Sequence, residues 1–275
     1  MASIKKQYSF TNNRIIWRLI PSETGYLVIE ERDLNTREVF FNCLKTTDGK
    51  ILFKNFQLDE KYWIGIESVH RNTIFFHKFR KPDMPGHTGI YAFDILSKKL
   101  TWQNDDLIFL LAKDDKVFTY QATFEGRQYY LLDSLTGKII KDLGSEFNEI
   151  KKLREESIQN YFVNSFLFPK TFSPNEANSD IVAIFNKLSA DRKISGIINW
   201  LKLNDFLIFN YHEENNNGTF NNYFKIFDSV KNKIVLNETL NSKSKKMIFE
   251  SFFIIGDLLF LLVEKQRLVV YRIMQ

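Results

Sequence analysis

A short motif that recurs along the chain limits its possible folds more than any other feature. In each copy an apolar run ends at Asp, and four residues later Gly, Asn or Lys precedes a Lys and a second apolar run. The copies are Tyr91–Trp102, Tyr130–Lys141 and Lys225–Leu236, with a related segment at Lys45–Phe53. The Asp carboxylate suits the backbone N–H groups of a turn, and the later position suits a left-handed conformation. The motif therefore predicts tight turns between β-strands, capped by Asp94, Asp133 and Asp228.

The spacing of these turns predicts a repeated structural unit. Gly49, Lys98, Gly137 and Asn232 are separated by 49, 39 and 95 residues, and the last interval is about two units of 47. A period of roughly 40 to 47 residues, with about four strands in each unit, is typical of propeller blades. We therefore predict an all-β protein, a single β-propeller domain over residues 1–275 with about five four-stranded blades and a small helical insertion.

The repeat also predicts where the blades begin and end. The predicted blades lie near 13–55, 60–103, 105–142, 193–239 and 249–275. The last of them supplies only three strands, so we expect residues 5–11 to provide its fourth strand. Such a pairing would close the ring and remove an exposed sheet edge.

Residues 145–190 do not follow the repeat and predict helices. Residues 146–157 have the pattern of a polar amphipathic helix. A second helix is predicted with Ser173 as its N-cap, Pro174 at its first position and Glu176 two positions later. The apolar run 161–168 between the helices predicts a strand, so a degenerate extra blade is the alternative to a helical insertion.

The single cysteine and the apolar segments indicate the compartment. Cys43 cannot form an internal disulfide or a cysteine-rich metal site, which is typical of a reducing environment, and its strand-like surroundings predict a buried structural thiol. The most apolar stretch, Phe252–Val263, is too short to span a bilayer, and the N-terminus lacks the apolar run of a secretory signal. We expect a cytoplasmic protein without a membrane partner.

The charged and aromatic residues give further expectations about partners and packing. The chain has a net charge of +5, but its 38 basic and 33 acidic residues are interspersed, so nucleic acid is not the expected partner. Aromatic residues make up 15% of the chain. The four tryptophans lie in strand patterns, where we expect them to pack between blades: Trp17, Trp63, Trp102 and Trp200.

The segments Asp94–Trp102 and Asp133–Lys138 resemble the repeat of pyrroloquinoline-quinone-type propellers. In that family a Trp recurs at the end of the motif and locks neighbouring blades, whereas here only Trp102 occupies that position. The quinone dehydrogenases of that family are also longer and carry a vicinal disulfide and a calcium site, which 275 residues with one Cys do not provide. The resemblance thus implies the fold and argues against a quinone cofactor. The overall layout also resembles an uncharacterised bacterial propeller family.

Two long connections are predicted to carry the binding residues. They are the loops 80–87 and 212–219, and the connection type places both on one face of the propeller together with the insertion 145–190. Binding sites are frequent on such loops. The binding candidates are Arg80, Lys81, Asp83, His87, His212 and Glu213.

The sequence contains no recognisable catalytic or metal-binding motif. A mononuclear metal site needs three or four ligands at about 2.0–2.3 Å from the ion. The available residues, His77, His87 and His212 with Glu213, have no ligand spacing such as His-x-x-x-His. Gly-rich phosphate loops, Gly-x-Ser-x-Gly elbows and His-Glu-x-x-His helices are also missing from the sequence. We therefore expect no metal and no cofactor.

The hypothesis that follows is a non-catalytic binding scaffold whose partner is a protein. The alternative is a small-molecule hydrolase or lyase with its site at the central opening of the same face. That alternative pairs His87 or His212 with Asp83 or Glu213, and it requires the paired side chains to converge on a pocket.

Overall fold

The computed structural model describes residues 3–81, 84–163, 166–175, 179–249 and 251–274. In these ranges the chain forms five antiparallel β-sheets and two helices, so the prediction of an all-β protein is confirmed. The chain divides into two compact units. The first unit is Arg14–Ser165, and the second unit is Met1–Asn13 together with Phe166–Gln275. Strand β1 (Ser3–Thr11) belongs to the second unit.

The first unit contains three four-stranded sheets in which consecutive strands pair in order. Sheet 1 consists of β2 (Ile15–Pro21), β3 (Tyr26–Arg32), β4 (Val39–Lys45) and β5 (Ile51–Phe56). Sheet 2 consists of β6 (Ile64–His70), β7 (Thr73–Lys81), β8 (Met84–Asp94) and β9 (Lys99–Asn104). Sheet 3 consists of β10 (Ile108–Lys113), β11 (Lys116–Thr123), β12 (Gly126–Asp133) and β13 (Ile139–Gly144). Helix α1 (Ile150–Val163) follows.

The second unit contains two five-stranded sheets. In chain order its elements are β14 (Phe166–Leu167), β15 (Lys170–Thr171), α2 (Ser179–Asp191), β16 (Ile194–Leu203), β17 (Phe206–Glu214), β18 (Phe220–Asp228), β19 (Lys233–Ser244), β20 (Phe252–Ile255), β21 (Leu258–Val263) and β22 (Arg267–Met274). Sheet 4 has the order β15-β16-β17-β18-β19, and sheet 5 has the order β1-β22-β21-β20-β14. Residues 5–11 thus lie in a strand that pairs antiparallel with the C-terminal strand.

The insertion differs from the sequence prediction in its details. Helix α1 starts and ends later than predicted and includes 161–163, where a strand was expected. The short strands β14 and β15 add to the edges of β20 and β16, so the described part of the insertion forms no sheet of its own. Pro174 lies in a turn rather than in a helix, and Glu176 is outside the described residues. Helix α2 begins at Ser179, with Asp180 in its first turn, where a negative charge is favourable.

The predicted turns have the predicted backbone conformation. Gly49, Lys98, Gly137 and Asn232 have φ angles of 72°, 58°, 69° and 49°, so all four are left-handed. In the three full copies of the motif, the Asp carboxylate accepts a backbone N–H three residues later in the turn. These bonds are Ser97 to Asp94 (2.6 Å), Thr136 to Asp133 (2.8 Å) and Lys231 to Asp228 (2.9 Å).

Apolar and aromatic side chains pack between the sheets of the first unit. Sheets 1 and 2 share a buried cluster in which the rings of Phe41 and Phe76 are 4.5 Å apart. Trp102 of sheet 2 reaches the turn of sheet 3, where its Nε1 donates to the carbonyl of Ser134 at 2.8 Å. A Cβ on Gly137 would lie 2.5 Å from the Trp102 ring, so this close packing requires glycine. Trp102 therefore packs between sheets as predicted.

The other tryptophans do not share one environment. Trp200 is buried, with its ring against Phe185 of helix α2. Trp17 and Trp63 are 56% and 44% exposed, so the prediction that they pack between blades is wrong. Trp17 lies at a bulge of β2, and Trp63 precedes the first residue of β6. Neither position follows the regular strand alternation that would turn the side chain toward a neighbouring sheet.

Cys43 agrees with a further expectation. Cys43 is buried in the core of the first unit, and burial raises the pKa of its thiol to about 12. The thiol is therefore protonated and unreactive at neutral pH. Of the helices in the described ranges, neither has the length and hydrophobicity of a membrane-spanning segment.

Candidate functional site: a glutamate beside two stacked histidines

The first strand of each sheet in the first unit carries a β-bulge at an equivalent position. The pairing of β2 with β3 skips Trp17, the pairing of β6 with β7 skips Glu67, and the pairing of β10 with β11 skips Leu110. A bulge redirects the side chain of the extra residue, and bulges are frequent beside functional sites. Sheet 2 thus places a carboxylate where its neighbours have apolar side chains.

The partner of the residue two positions before each skipped residue also differs between the sheets. Register pairs Ile15 with Arg32, Gly65 with His77, and Ile108 with Tyr120, so Arg32, His77 and Tyr120 occupy equivalent positions. In sheet 1 the Arg32 guanidinium lies 4.7 Å from the centre of the Trp17 ring, a cation–π contact. In sheet 2 the same two positions bring His77 Nδ1 to 2.8 Å from Glu67 Oε2.

A second histidine completes the arrangement in sheet 2. His87 on β8 donates from Nδ1 to Glu67 Oε2 at 2.6 Å. The rings of His77 and His87 stack with centroids 3.6 Å apart and an interplanar angle of 7°. Phe79 meets both rings edge-on, with centroid distances of 5.0 and 5.4 Å. We call Glu67, His77 and His87 the sheet 2 cluster.

The two histidines of the sheet 2 cluster differ in exposure. The His77 side chain is 1% exposed, and that of His87 is 33% exposed. Glu67 Oε2 is close to His77 Nδ1 but off the direction of a hydrogen bond. Neither ring nitrogen of His77 has a hydrogen-bond partner within the part of the chain that the structure describes. A buried polar atom without a partner is uncommon in folded proteins and is a reason to look for a ligand.

The neighbouring residues make room for the buried ring and connect it to sheet 1. A Cβ on Gly65 would lie 3.2 Å from His77 Nε2, tighter than normal packing, and 3.6 Å from Glu30 Oε2. Glu30 is fully buried; its Oε1 accepts from Arg32 at 3.0 Å and its Oε2 accepts from the N–H of Ile66 at 3.2 Å. Arg18 donates to the carbonyl of Ile66. These bonds to Ile66 hold β6 beside β2 and β3, next to the sheet 2 cluster.

The environment sets the protonation of the buried groups. Burial lowers the pKa of His77, because a charged imidazole loses hydration, so its ring is neutral at neutral pH. Burial alone would raise the pKa of Glu67. The ring nitrogens of His77 and His87 beside the carboxylate outweigh that effect, and the net shift of the Glu67 pKa is downward. The sheet 2 cluster thus combines an ionised carboxylate with at least one neutral imidazole.

The segment 80–87 is not the long loop that the sequence analysis predicted. Arg80 is an exposed residue of β7, and Lys81 is the last residue of that strand. The backbone of His87 lies in β8, which already begins at Met84 and pairs with Lys81. Asp83 lies outside the described residues. Strand pairing therefore extends through most of the segment.

The loop predicted at 212–219 begins later than predicted. His212 and Glu213 belong to β17, and the connection to β18 contains only 215–219. His212 Nε2 lies 3.1 Å from both the backbone N and the backbone O of Ile248, whereas Glu213 accepts from Arg192 at 2.9 Å. Since successive side chains of a strand point to opposite faces, these two residues do not converge, and the predicted pairing of His212 with Glu213 is wrong.

The residues considered as metal ligands from the sequence therefore lie in two different places. His77 and His87 lie together in the first unit, whereas His212 and Glu213 lie in the second unit with other partners. The ligand atoms of Glu67, His77 and His87 all lie within 4.8 Å of one another, so these three residues could hold a metal ion. Sequence reasoning missed Glu67, which has no motif around it. Its position in the repeat, equivalent to Trp17 and Leu110, was the one available signal.

Comparison with known proteins finds little. The sequence model of a family described as "Domain of unknown function (DUF4905)" matches residues 20–102. This range contains β3 to β8 and the whole sheet 2 cluster. The sequence matches no curated protein.

Among solved structures, a DUF4221 family member from Bacteroides vulgatus is similar at 8% identity over 100% of this chain and 98% of that chain, with a TM-score of 0.37. A eukaryotic initiation factor is similar at 6% identity over 94% of this chain, with a TM-score of 0.33, and a europium-containing methanol dehydrogenase at 12% identity over 88%, with a TM-score of 0.30. The chain spans 54% and 45% of the lengths of those two proteins. TM-scores this low establish neither a shared fold nor a shared function.

Proposed function

We propose that this chain is a β-propeller that acts as a non-catalytic binding scaffold with a protein as its partner. The observation that carries the proposal is the exposure of three large aromatic side chains in the first unit. Trp17, Tyr62 and Trp63 are 56%, 48% and 44% exposed. Trp, Tyr and Arg are the residue types that contribute most to binding energy at protein interfaces.

The positions of these aromatic residues support a shared role. Trp17 precedes Arg18, whose guanidinium bonds to the carbonyl of Ile66, and Trp63 lies three residues before Ile66. Both tryptophans therefore lie within three residues, along the chain, of the contact between β2 and β6. Arg32 over Trp17 and Phe79 against Trp63 restrain the two indole rings, which reduces the entropy lost on binding.

The propeller itself is proposed from the repeat and the sheets. Four-stranded antiparallel meanders with a common bulge position in the first unit are the expected form of blades. The sequence resemblance to quinone-type propellers supports the fold only, and we propose no quinone cofactor. The cytoplasmic location likewise stays a prediction from the sequence.

The experiment compares capture of a partner by the wild-type chain and by Trp17→Ala and Trp63→Ala variants. A protein that the wild-type chain recovers specifically is first purified. We expect this protein to bind each variant at least about tenfold more weakly than it binds the wild-type chain, as for interface hot spots. Phe124→Ala is the matched control, because Phe124 is a fully exposed aromatic residue in the same unit, outside this region. Equal binding by all variants, or turnover of a small molecule with no partner, would contradict the proposal.

The hydrolase or lyase alternative retains one supporting observation. His87 is hydrogen-bonded to Glu67, and a histidine oriented by a carboxylate is a common general base. In this version Glu67 takes the role that the sequence assigned to Asp83. Loss of a hydrolytic or elimination activity in Glu67→Gln, with partner binding unchanged, would favour the enzyme over the scaffold.

A further inference from the structure

We propose that Glu67, His77 and His87 form a binding site for one divalent transition-metal ion of the Zn²⁺ type. This site goes beyond the scaffold function and does not depend on it. The three residues come from three neighbouring strands of one sheet, β6, β7 and β8, so the fold determines their separation.

The donor atoms indicate the class of ion. Two imidazole nitrogens and one carboxylate oxygen suit borderline ions such as Zn²⁺, which binds His at about 2.0–2.1 Å and carboxylate at about 2.0–2.2 Å. Ca²⁺ and Mg²⁺ prefer sites built mainly from oxygen ligands. Three protein ligands leave a further coordination position for water, as in open zinc sites. That position faces the side of His87, which is the more exposed histidine of the cluster.

The distances are compatible with a shared ion. Glu67 Oε2 lies 2.8 Å from Nδ1 of His77 and 2.6 Å from Nδ1 of His87, so one carboxylate oxygen lies beside a nitrogen of each histidine. Two donors of a tetrahedral Zn²⁺ ion are separated by roughly 3.3 Å, given bonds of about 2.0 Å. The two separations from Glu67 Oε2 are therefore shorter than this by less than about 1 Å.

The orphaned nitrogens of His77 provide an independent argument for a ligand. His77 is almost fully buried, and within the described residues its ring nitrogens have no hydrogen-bond partner. Coordination at Nδ1 would satisfy one of these two nitrogens. Glu30 Oε2 and His77 Nε2 lie within 4 Å of the same point beside Gly65, and a carboxylate near the second nitrogen is typical of metal-bound histidines.

The stacked rings imply a specific rearrangement on binding. A metal lies in the plane of the imidazole that binds it, whereas the planes of His77 and His87 are nearly parallel. One ring must therefore turn about its χ2 angle. His77 is enclosed by Gly65 and Phe79, so we assign the movement to His87, which is one-third exposed.

The test measures binding of ZnCl₂ to the purified full-length chain by equilibrium dialysis, with MgCl₂ as the comparison ion. We expect one Zn²⁺ per chain and no Mg²⁺. The variants Glu67→Gln and His87→Ala should each bind Zn²⁺ at least about 100-fold more weakly, because even outer-shell residues contribute 10- to 100-fold. His70→Ala is the matched control: His70 also contacts a glutamate, Glu23 at 3.0 Å, but has no second histidine beside it.

Two further measurements distinguish loss of metal binding from loss of folding. Circular dichroism of each apo variant checks folding, and Glu67→Gln preserves side-chain size if His87→Ala fails to fold. Co²⁺ in place of Zn²⁺ should give visible absorption bands of a low-coordinate nitrogen and oxygen site in wild type, and these bands should be lost in Glu67→Gln. Absence of stoichiometric Zn²⁺ binding by wild type, wild-type affinity in a folded Glu67→Gln variant, or an equal loss in His70→Ala would each overturn the proposal.

Discussion

His77 in the first unit and His212 in the second are buried to the same extent but have different surroundings. Each is 1% exposed and lies on the strand opposite an irregularity in the pairing. His212 is held by the main chain of Ile248, to which Asn222 also donates at 3.2 Å. His77 instead contacts the side chains of Glu67 and His87, which carry atoms that can bind a metal ion. Burial alone therefore does not distinguish a structural histidine from a candidate ligand; the bonding partners do.

The largest expected effect tests whether His212 is the structural member of this pair. His212→Ala should lower the free energy of unfolding by about 1–3 kcal/mol more than His77→Ala, because it leaves the partly buried backbone N–H of Ile248 without its partner. Both variants lose a ring of the same size, so the cavity contribution is similar. Urea unfolding of both variants measures the difference. Equal losses would mean that the bonds to Ile248 contribute nothing specific.

An intermediate effect is expected at the residues paired with the two histidines. Gly65 pairs with His77, and Ser195 pairs with His212. Gly65→Ala should destabilise the chain by about 1–2 kcal/mol, because its Cβ presses on the His77 ring and overpacking costs about this much. Ser195→Ala at the equivalent site should stay within about 0.5 kcal/mol, as for most substitutions outside a core. A neutral Gly65→Ala variant would show that the His77 ring has free space.

The smallest expected effect is a difference in pH dependence. Burial lowers the pKa of His212, although its contact with Ile248 acts in the opposite direction. His212 therefore contributes stability above the ordinary histidine pKa of about 6.5, and this contribution is lost as the pH falls below that value. Between about pH 6.5 and pH 5, the His212→Gln variant should lose less stability than the wild-type chain. The difference should be less than about 1.4 kcal/mol per pH unit.

His70 provides the control with the opposite sign. Burial alone would lower the pKa of His70, but its hydrogen bonds to Glu23 and to the carbonyl of Asp114 raise it. His70 therefore stabilises the fold below pH about 6.5, and this contribution is lost as the pH rises through its raised pKa. His70→Gln should thus lower stability mainly at acidic pH. Chemical denaturation across a pH series measures both variants, and the same sign of change in both would contradict these assignments.

The repeat allowed the strands and turns to be predicted, because both depend on local sequence. Asp94 and Lys98 act through contacts within their own turn, so the motif contains the information needed to predict it. Hairpin lengths were harder to predict. Arg80 and His87 were placed in a loop because prolines and charged residues surround them, yet pairing in β7 and β8 continues past both.

The sheet 2 cluster depends on information that local sequence does not contain. His77 and His87 were considered as ligands but could not be brought together, because their meeting depends on the register of β7 and β8. Glu67 was not considered, since only the bulge of β6 turns its carboxylate toward His77. The exposure of Trp17 and Trp63 was missed for the same reason.

The sequence by itself determined the repeated strand–turn pattern, the all-β class and the left-handed turn residues, because each follows from alternation and backbone preference within about a dozen residues. The tertiary structure decided which side chains meet across strands. A shift of one residue in pairing moves a side chain to the opposite face of a sheet. Bulges at equivalent positions therefore gave sheet 1 a tryptophan beside an arginine, and sheet 2 a glutamate beside two histidines.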